Sequence, residues 1–75
     1  MVTIDELIQK GKSHLQDGDF EYALSFFEQA LLQNQTNPDL WNLKGVTLRS
    51  MGRYDEAVEC FNKSLELDPR DKQAS

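Results

Sequence analysis

A 34-residue internal repeat is the feature that most constrains this chain. Identical residues recur 34 positions apart along its 75 residues, and similar residues fill many of the gaps between them. A repeat of this length predicts a stack of equal structural units rather than one core enclosed by the whole chain. Stacked helical units build extended surfaces that hold other chains, and they seldom build catalytic centres. The identical pairs are Asp5/Asp39, Lys10/Lys44, Gly11/Gly45, Gly18/Gly52, Ala23/Ala57, Phe27/Phe61 and Leu31/Leu65.

Length and charge narrow the possible classes of function. A chain of 75 residues makes one small domain, and a domain of this size buries only about 60% of the surface that its unfolded chain exposes. The net charge of −5 argues against a nucleic-acid partner, because phosphate binding requires clustered Lys and Arg side chains. An acidic surface instead favours solubility and basic ligands.

Cysteine content and hydropathy predict a cytoplasmic protein without cofactors. Cys60 is the only cysteine, so an intramolecular disulfide is impossible and a zinc site is disfavoured. No apolar run approaches the roughly 18 residues of a membrane span. The first six residues lack the basic and apolar regions of a signal peptide. We therefore expect neither a membrane nor a metal among the partners.

The first half of the chain carries two amphipathic helical patterns. Thr3, followed by Glu6, predicts a capping box at the start of the first helix, and Gly18 predicts its end. Asp19 is predicted to cap the second helix, and the polar run 33–37 is predicted to be a loop. The apolar stripes are Ile4, Leu7, Ile8, Gly11 and Leu15, then Phe20, Ala23, Leu24, Phe27, Ala30 and Leu31.

The second half repeats this plan. Asn37 is predicted to cap the third helix, with Pro38 at its first position, and Gly52 ends it. Asp68 and Pro69 end the fourth helix. No segment has the period of a strand, so the pattern predicts an all-α protein whose successive helices are antiparallel neighbours. The stripes are Trp41, Gly45 and Leu48, helped by Leu40 and Met51, then Tyr54, Ala57, Val58, Phe61, Ser64 and Leu65.

Two glycines lie inside helices, at positions 11 and 45. Glycine in a helix interior costs about 1 kcal/mol relative to alanine. That cost is acceptable where the missing side chain lets a neighbouring helix approach closely. We expect Ala23 and Ala57 to be the opposite walls of these contacts, with Phe27 and Phe61 filling the space beside them.

These residues together resemble the tetratricopeptide repeat, whose signature combines Trp, Gly, Ala, Phe and Pro at fixed positions of a 34-residue unit. The second unit, 38–71, matches it at Trp41, Gly45, Ala57, Phe61 and Pro69. It departs at Lys44 and Leu48, where the family usually has Leu and Tyr.

The first unit, 4–37, is more degenerate. Leu7 replaces Trp, His14 replaces Tyr and Gln35 replaces Pro. The resemblance implies two tandem helix-turn-helix repeats that form a short right-handed α-solenoid within one domain, 1–75. Residues 72–75 are either the truncated start of a third repeat or a polar tail.

The resemblance also implies a binding surface, because in this family the first helix of each unit lines a concave groove. The predicted function is a protein–protein interaction scaffold that holds a peptide or partner domain there. The alternative is that the same positions are ordinary solvated helix residues. The predicted concave face comprises Asp5, Ile8, Lys12, Gln16, Asp39, Asn42, Val46 and Arg49.

A chaperone-type carboxylate clamp is not expected. Some family members bind a C-terminal carboxylate with Lys, Asn and Arg side chains from three successive units. The matching positions here hold Ile8, Lys12, Leu43 and Gln73, and the last position has no counterpart. Only one of these is a cation, so the resemblance does not extend to this activity.

The last helix carries apolar residues that no following repeat covers. An uncovered apolar patch normally marks an interface or an aggregation hazard. The second predicted function is therefore structural, a self-associating solenoid fragment that forms a homo-oligomer through this helix. The residues concerned are Val58, Phe61, Leu65 and Leu67.

Catalysis is not expected. His14, the only histidine, stands where the family places a packing Tyr, and a partly buried structural role is predicted for it. Cys60 is predicted to behave as a small hydrophobic residue, and Trp41 to lie in the core. The pattern leaves open whether Phe26 and Leu32 are partly exposed or widen the core.

Overall fold

A computed structural model of the protein describes residues 2–69, and all regular structure in this range is α-helical. This confirms the predicted all-α fold. Helix α2 packs against both α1 and α3, and α3 also packs against α4, so two helical hairpins stack through the α2–α3 contact. The predicted end of the second unit and the tail at 72–75 lie outside the described residues. The helices are α1 (Ile4–Asp17), α2 (Phe20–Gln33), α3 (Pro38–Ser50) and α4 (Tyr54–Leu67).

Two of the three predicted helix caps are present. Thr3 Oγ1 accepts a hydrogen bond from the backbone N–H of Glu6 at 3.2 Å. Asn37 Oδ1 accepts one from the N–H of Asp39 at 2.9 Å, with proline at the first helical position. Each bond satisfies a donor that the first helical turn leaves without a partner.

The prediction for Asp19 is wrong. Asp19 occupies the cap position of α2, but its side chain makes no capping hydrogen bond. Its carboxylate oxygen lies 3.4 Å from His14 Nδ1, across the turn between α1 and α2. The predicted loop is one residue too long as well, because α2 continues through Gln33.

Glycine ends each first helix in a left-handed backbone conformation, as predicted. The φ angles are 82° at Gly18 and 80° at Gly52. A side chain at either position would strain the backbone. This conformation allows the residue after each glycine to donate a backbone hydrogen bond to a carbonyl in the last turns of the helix. Asp19 N–H donates to the His14 carbonyl at 2.8 Å, and Arg53 N–H donates to the Leu48 carbonyl at 2.9 Å.

The core consists of two clusters joined by Trp41. The indole ring is half-buried and packs against both clusters, and its Nε1 donates a hydrogen bond to the Gln35 carbonyl at 2.8 Å. The expected core position of Trp41 is therefore a bridge at the core margin. The buried members are Leu7, Ala23, Phe27, Ala30, Leu31 and Leu40 in one cluster, and Leu24, Leu48, Ala57 and Cys60 in the other.

Phenylalanine rings occupy the space that the two helical glycines leave open. A Cβ atom added at Gly11 would lie 2.5 Å from Phe27 Cε1, and one added at Gly45 would lie 2.7 Å from Phe61 Cε1. Close approach at these glycines was expected, but the atoms nearest the missing Cβ belong to these rings rather than to the alanines Ala23 and Ala57. A flat ring fits against bare backbone because no side chain keeps it away.

The variant Gly45→Leu should lower the free energy of unfolding by about 1–3 kcal/mol, because the leucine would displace the Phe61 ring. Chemical denaturation followed by circular dichroism measures this change. Asn42→Leu is the matched control, since Asn42 is exposed on the same helix. Equal stability of the two variants would contradict the glycine–ring packing.

A buried hydroxyl ties the two ends of the second hairpin together. Ser64 Oγ donates a hydrogen bond to the Pro38 carbonyl at 2.9 Å, linking the last turn of α4 to the first turn of α3. Ser64 is 7% exposed, so water has little access to replace this bond. The bond thus fixes how α4 lies against α3.

Ser64→Ala should reduce the free energy of unfolding by about 1 kcal/mol, because the buried hydrogen bond from Ser64 to the Pro38 carbonyl is lost. Ser25→Ala, at an exposed serine of α2, should change it by less than about 0.5 kcal/mol. Urea titration of both variants provides the comparison, and a Ser64→Ala protein as stable as the parent would show that this bond contributes nothing.

Candidate functional site

The predicted concave face is distributed over α1 and α3. Six of its members occur as pairs at equivalent positions of the two repeats: Asp5 and Asp39, Ile8 and Asn42, Lys12 and Val46. Gln16 and Arg49 lie towards the ends of the two helices. Ile8 and Val46 are half-buried, and the other six residues are exposed. Binding at these positions stays a prediction.

The charged side chains of this face take no part in the four ion pairs among residues 2–69. They are Asp5, Lys12, Asp39 and Arg49. The face therefore presents two carboxylates and two cations that are not neutralised by each other. Exposed ionic groups of this kind select between ligands by charge more than they add raw affinity.

Arg49 is restrained by an aromatic ring. Its guanidinium carbon lies 5.8 Å from the centre of the Phe61 ring. A cation over the face of an aromatic ring at this distance gains about 0.5–1 kcal/mol where water has access. Arg49 thus lies at the boundary between the predicted concave face and the apolar residues of α4.

The apolar residues of α4 are less covered than their counterparts on α2. We use the name α4 face for Val58, Phe61, Leu65 and Leu67. Val58 is 54% exposed and the other three are half-buried. One repeat earlier, Leu24, Phe27 and Leu31 are 8%, 0% and 6% exposed. The difference arises because α2 lies between α1 and α3, whereas, among the described helices, only α3 packs extensively against α4, where it contacts the Phe61 ring at Gly45.

Two surface pockets lie on either side of Trp41 and Lys44, and the sequence pattern does not predict them. One encloses about 330 Å³ beside α2, and the other about 250 Å³ beside α4. Lys44 Nζ lies 3.6 Å from a Glu28 carboxylate oxygen and 5.5 Å from the centre of the Trp41 ring. The one available signal was Lys44 itself, a cation where the family usually has Leu. No residue of the predicted concave face lines either pocket.

His14 lies in an aromatic cluster at the turn between α1 and α2. Its ring stacks on Phe26 with centroids 5.4 Å apart, and it contacts Tyr22 at 5.5 Å. The predicted partial burial is confirmed. Phe26 is half-buried against the core, whereas Leu32 is 77% exposed, which decides the question that the sequence left open.

Cys60 is a buried thiol at the wall of the pocket beside α4. It is 5% exposed, and burial raises its pKa above the usual value for a thiol, while the positive charge of Lys44 partly opposes that rise. The thiol is therefore protonated at neutral pH, which is the unreactive form. Within the described part of the chain, no three His, Cys, Asp or Glu side chains are grouped to hold a metal ion.

Cys60 should react with a thiol reagent at pH 8 on the order of tenfold more slowly in the folded chain than in denaturant, because burial both shields the thiol and keeps it protonated.

The raised pKa of Cys60 also predicts how the stability of the protein depends on pH. As the pH rises through the usual pKa range of a thiol, Cys60 loses its proton in the unfolded chain before it does so in the folded chain. The free energy of unfolding should therefore be highest below this range and should fall above it. Cys60→Ala should remove this part of the pH dependence, and urea titrations between pH 7 and 10 test it.

None of the helices between residues 2 and 69 has the length and hydropathy that a bilayer crossing requires.

Comparison with known proteins places the repeats in a family. The model of the tetratricopeptide repeat matches residues 38–71. An uncharacterized protein of Methanocaldococcus jannaschii is 40% identical over 60 residues, which cover 80% of this chain and 70% of that protein.

Two larger relatives share the repeats. The peroxisomal targeting signal receptor of Saccharomyces cerevisiae is 33% identical over 69 residues, or 89% of this chain. The Hsp70-Hsp90 organizing protein 2 of Arabidopsis thaliana is 34% identical over 65 residues, or 87% of this chain. In both cases the chain spans only 11% of the relative's length.

Proposed function

The chain belongs to the tetratricopeptide repeat family, whose repeats serve as protein–protein interaction scaffolds, and we propose on this premise that the predicted concave face binds a peptide or partner domain. The observation that carries the proposal is the set of unpaired polar and charged side chains on α1 and α3. A relative named as a receptor for a targeting signal supports a peptide as the ligand.

The chemistry of the face favours an extended or short helical peptide. Lys12 and Arg49 provide cations for acidic groups, and the amides of Gln16 and Asn42 can pair with a peptide backbone. Val46, which is half-buried, supplies an apolar contact among these polar side chains. Such a ligand would carry acidic groups near its ends and a small apolar residue between them.

The proposed binding does not depend on a free C-terminus. Ile8 and Leu43 occupy positions at which a carboxylate clamp requires polar side chains. A peptide ending in a carboxylate should therefore bind no more tightly than its amide.

The proposed compartment is the cytoplasm, and no nucleic acid or membrane is proposed as a partner. The single buried thiol of Cys60 suits a reducing compartment. The acidic surface repels phosphate backbones and anionic lipids alike.

Selection of a random dodecapeptide display library on the immobilised protein tests the proposal. Enriched peptides should bind about tenfold more weakly to Lys12→Glu, because a glutamate at position 12 would repel the acidic groups of the ligand that Lys12 attracts. Lys10→Glu, which makes the same charge change at an exposed residue outside the predicted concave face, is the matched control.

The same peptides should retain their affinity when their C-terminal carboxylate is replaced by an amide. Enriched peptides that are insensitive to Lys12→Glu, or that shift NMR signals of α4 rather than those of Asn42 and Val46, would contradict the concave face as the site.

A second candidate function is association through the α4 face, with a homo-oligomer as its simplest product. The 54% exposure of Val58 favours it, because an exposed apolar side chain on a helix gains free energy when another surface covers it. Light scattering over about a hundredfold range of protein concentration tests self-association, since assembly follows mass action. A mass that rises toward the dimer would support self-association. A constant monomer mass would exclude self-association and would leave a different protein as the partner of the α4 face.

A further inference from the structure

The contact between α3 and α2 shows what kind of element covers an apolar face in this chain. Leu40 and Thr47 of α3 are fully buried, and Leu43 between them is half-buried. Their spacings of three and four residues place them on one stripe of the helix. On the other side of the contact, Leu24 and Leu31 of α2 are nearly inaccessible. One amphipathic helix is therefore enough to cover this face.

The equivalent face of α4, at Val58 and Leu65, has no covering helix between residues 2 and 69. Val58 and Leu65 occupy the positions in the second repeat that Leu24 and Leu31 occupy in the first, and Phe61 lies between them. The apolar side chains of α4 therefore have the same spacing as those of α2, and they lie on the corresponding side of the second hairpin. A helix with the apolar stripe of α3 matches it in shape.

Charge distinguishes the partner that fits α4. On α2, Lys44 of the covering helix reaches Glu28 at 3.6 Å. On α4, Asp55, Glu59 and Glu66 are exposed at spacings of four and seven residues, and so form one row along the edge of the α4 face. Among the described residues, only Glu66 of this row has an ion-pair partner, Lys63 at 3.9 Å. A covering helix with cations on that edge would neutralise the row.

A second copy of the chain is a poor occupant. Where α3 has Leu40, Leu43 and Thr47, α1 has Glu6, Gln9 and Ser13, all three exposed. Copies therefore cannot stack end to end through α1, because that would bury polar groups without partners. Pairing of two α4 faces would bring two acidic rows together in a molecule whose net charge is already −5.

We infer that the α4 face binds an amphipathic helix of a partner protein, with an apolar stripe at spacings of three and four residues and Lys or Arg along one edge. This inference rests on the second candidate function, association through the α4 face, and names its partner. It is independent of the predicted concave face.

The probe is a fluorescent peptide copied from α3, residues 37–51, held helical by a hydrocarbon staple between positions 42 and 49. Trp41 and Lys44 line the pockets, whereas Leu48 is buried in one cluster with Leu24 of α2 and with Ala57 and Cys60 of α4, so Leu48 is retained in the probe. Position 41 lies beside the apolar stripe of the isolated helix, on the same edge as Lys44. A basic peptide carries Trp41→Lys, and a matched acidic peptide carries Trp41→Glu.

Fluorescence anisotropy with the full chain should show at least about fivefold tighter binding of the basic peptide. The difference should shrink when salt is raised to about 1 M, where charges are screened beyond about 3 Å. Val58→Gln should weaken binding of the basic peptide about tenfold, because it removes an apolar contact. Leu32→Gln, at an exposed leucine of α2, should leave it unchanged.

The charge row has its own matched pair. Asp55→Lys should weaken binding of the basic peptide, whereas Glu21→Lys, the same charge change at the equivalent position of the first repeat, should not, since α3 already covers α2. Lys12→Glu should also have no effect, which separates this site from the predicted concave face.

Equal affinities for the two peptides, or equal effects of Val58→Gln and Leu32→Gln, would overturn the inference. A dimer in light scattering that excess basic peptide does not dissociate would also overturn it, because a second copy would then be the preferred occupant.

Discussion

The packing of a phenylalanine ring on a helical glycine is the contact on which each hairpin depends. Phe27 rests on Gly11 and Phe61 on Gly45, in spaces too small for even one added carbon atom. This contact sets the separation of the paired helices, and it allows the alanines of the second helices to become buried. The cost of a glycine within a helix is offset by burial of aromatic surface, which is complete at Phe27 and partial at Phe61. Its recurrence at the same position of both repeats makes the two hairpins alike.

Two like hairpins still produce a molecule with unlike ends. The first helix turns a polar surface outward, since Glu6 and Gln9 stand where α3 has Leu40 and Leu43. The last helix retains the apolar residues that α2 buries beneath α3, of which Val58 is the most exposed. Repeat units stack in one direction, so the last helix of one unit packs against the first helix of the next, as α2 does against α3. The apolar surface of the outer helices is therefore concentrated on α4.

The thiol and the imidazole of the molecule are both held in packing contacts. Its single thiol is buried and protonated, and its single histidine lies between two aromatic rings. Several charged groups on the exposed sides of α1, α3 and α4 lie outside the four ion pairs of residues 2–69, and they can select a partner by charge. Lys44 differs from them, because its ammonium group pairs with Glu28 between two pockets.

The sequence by itself determined the repeat, the four helices, the left-handed turns at Gly18 and Gly52 and the apolar residues of α4, because each depends on residues close together in the chain or on the repeat period. Only the tertiary structure decided which partner each polar side chain takes. It directed Asp19 to His14 instead of to the helix cap, buried Thr47, and placed Lys44 between two pockets. Those outcomes depend on atoms that folding brings together from different helices, and helical periodicity carries no information about them.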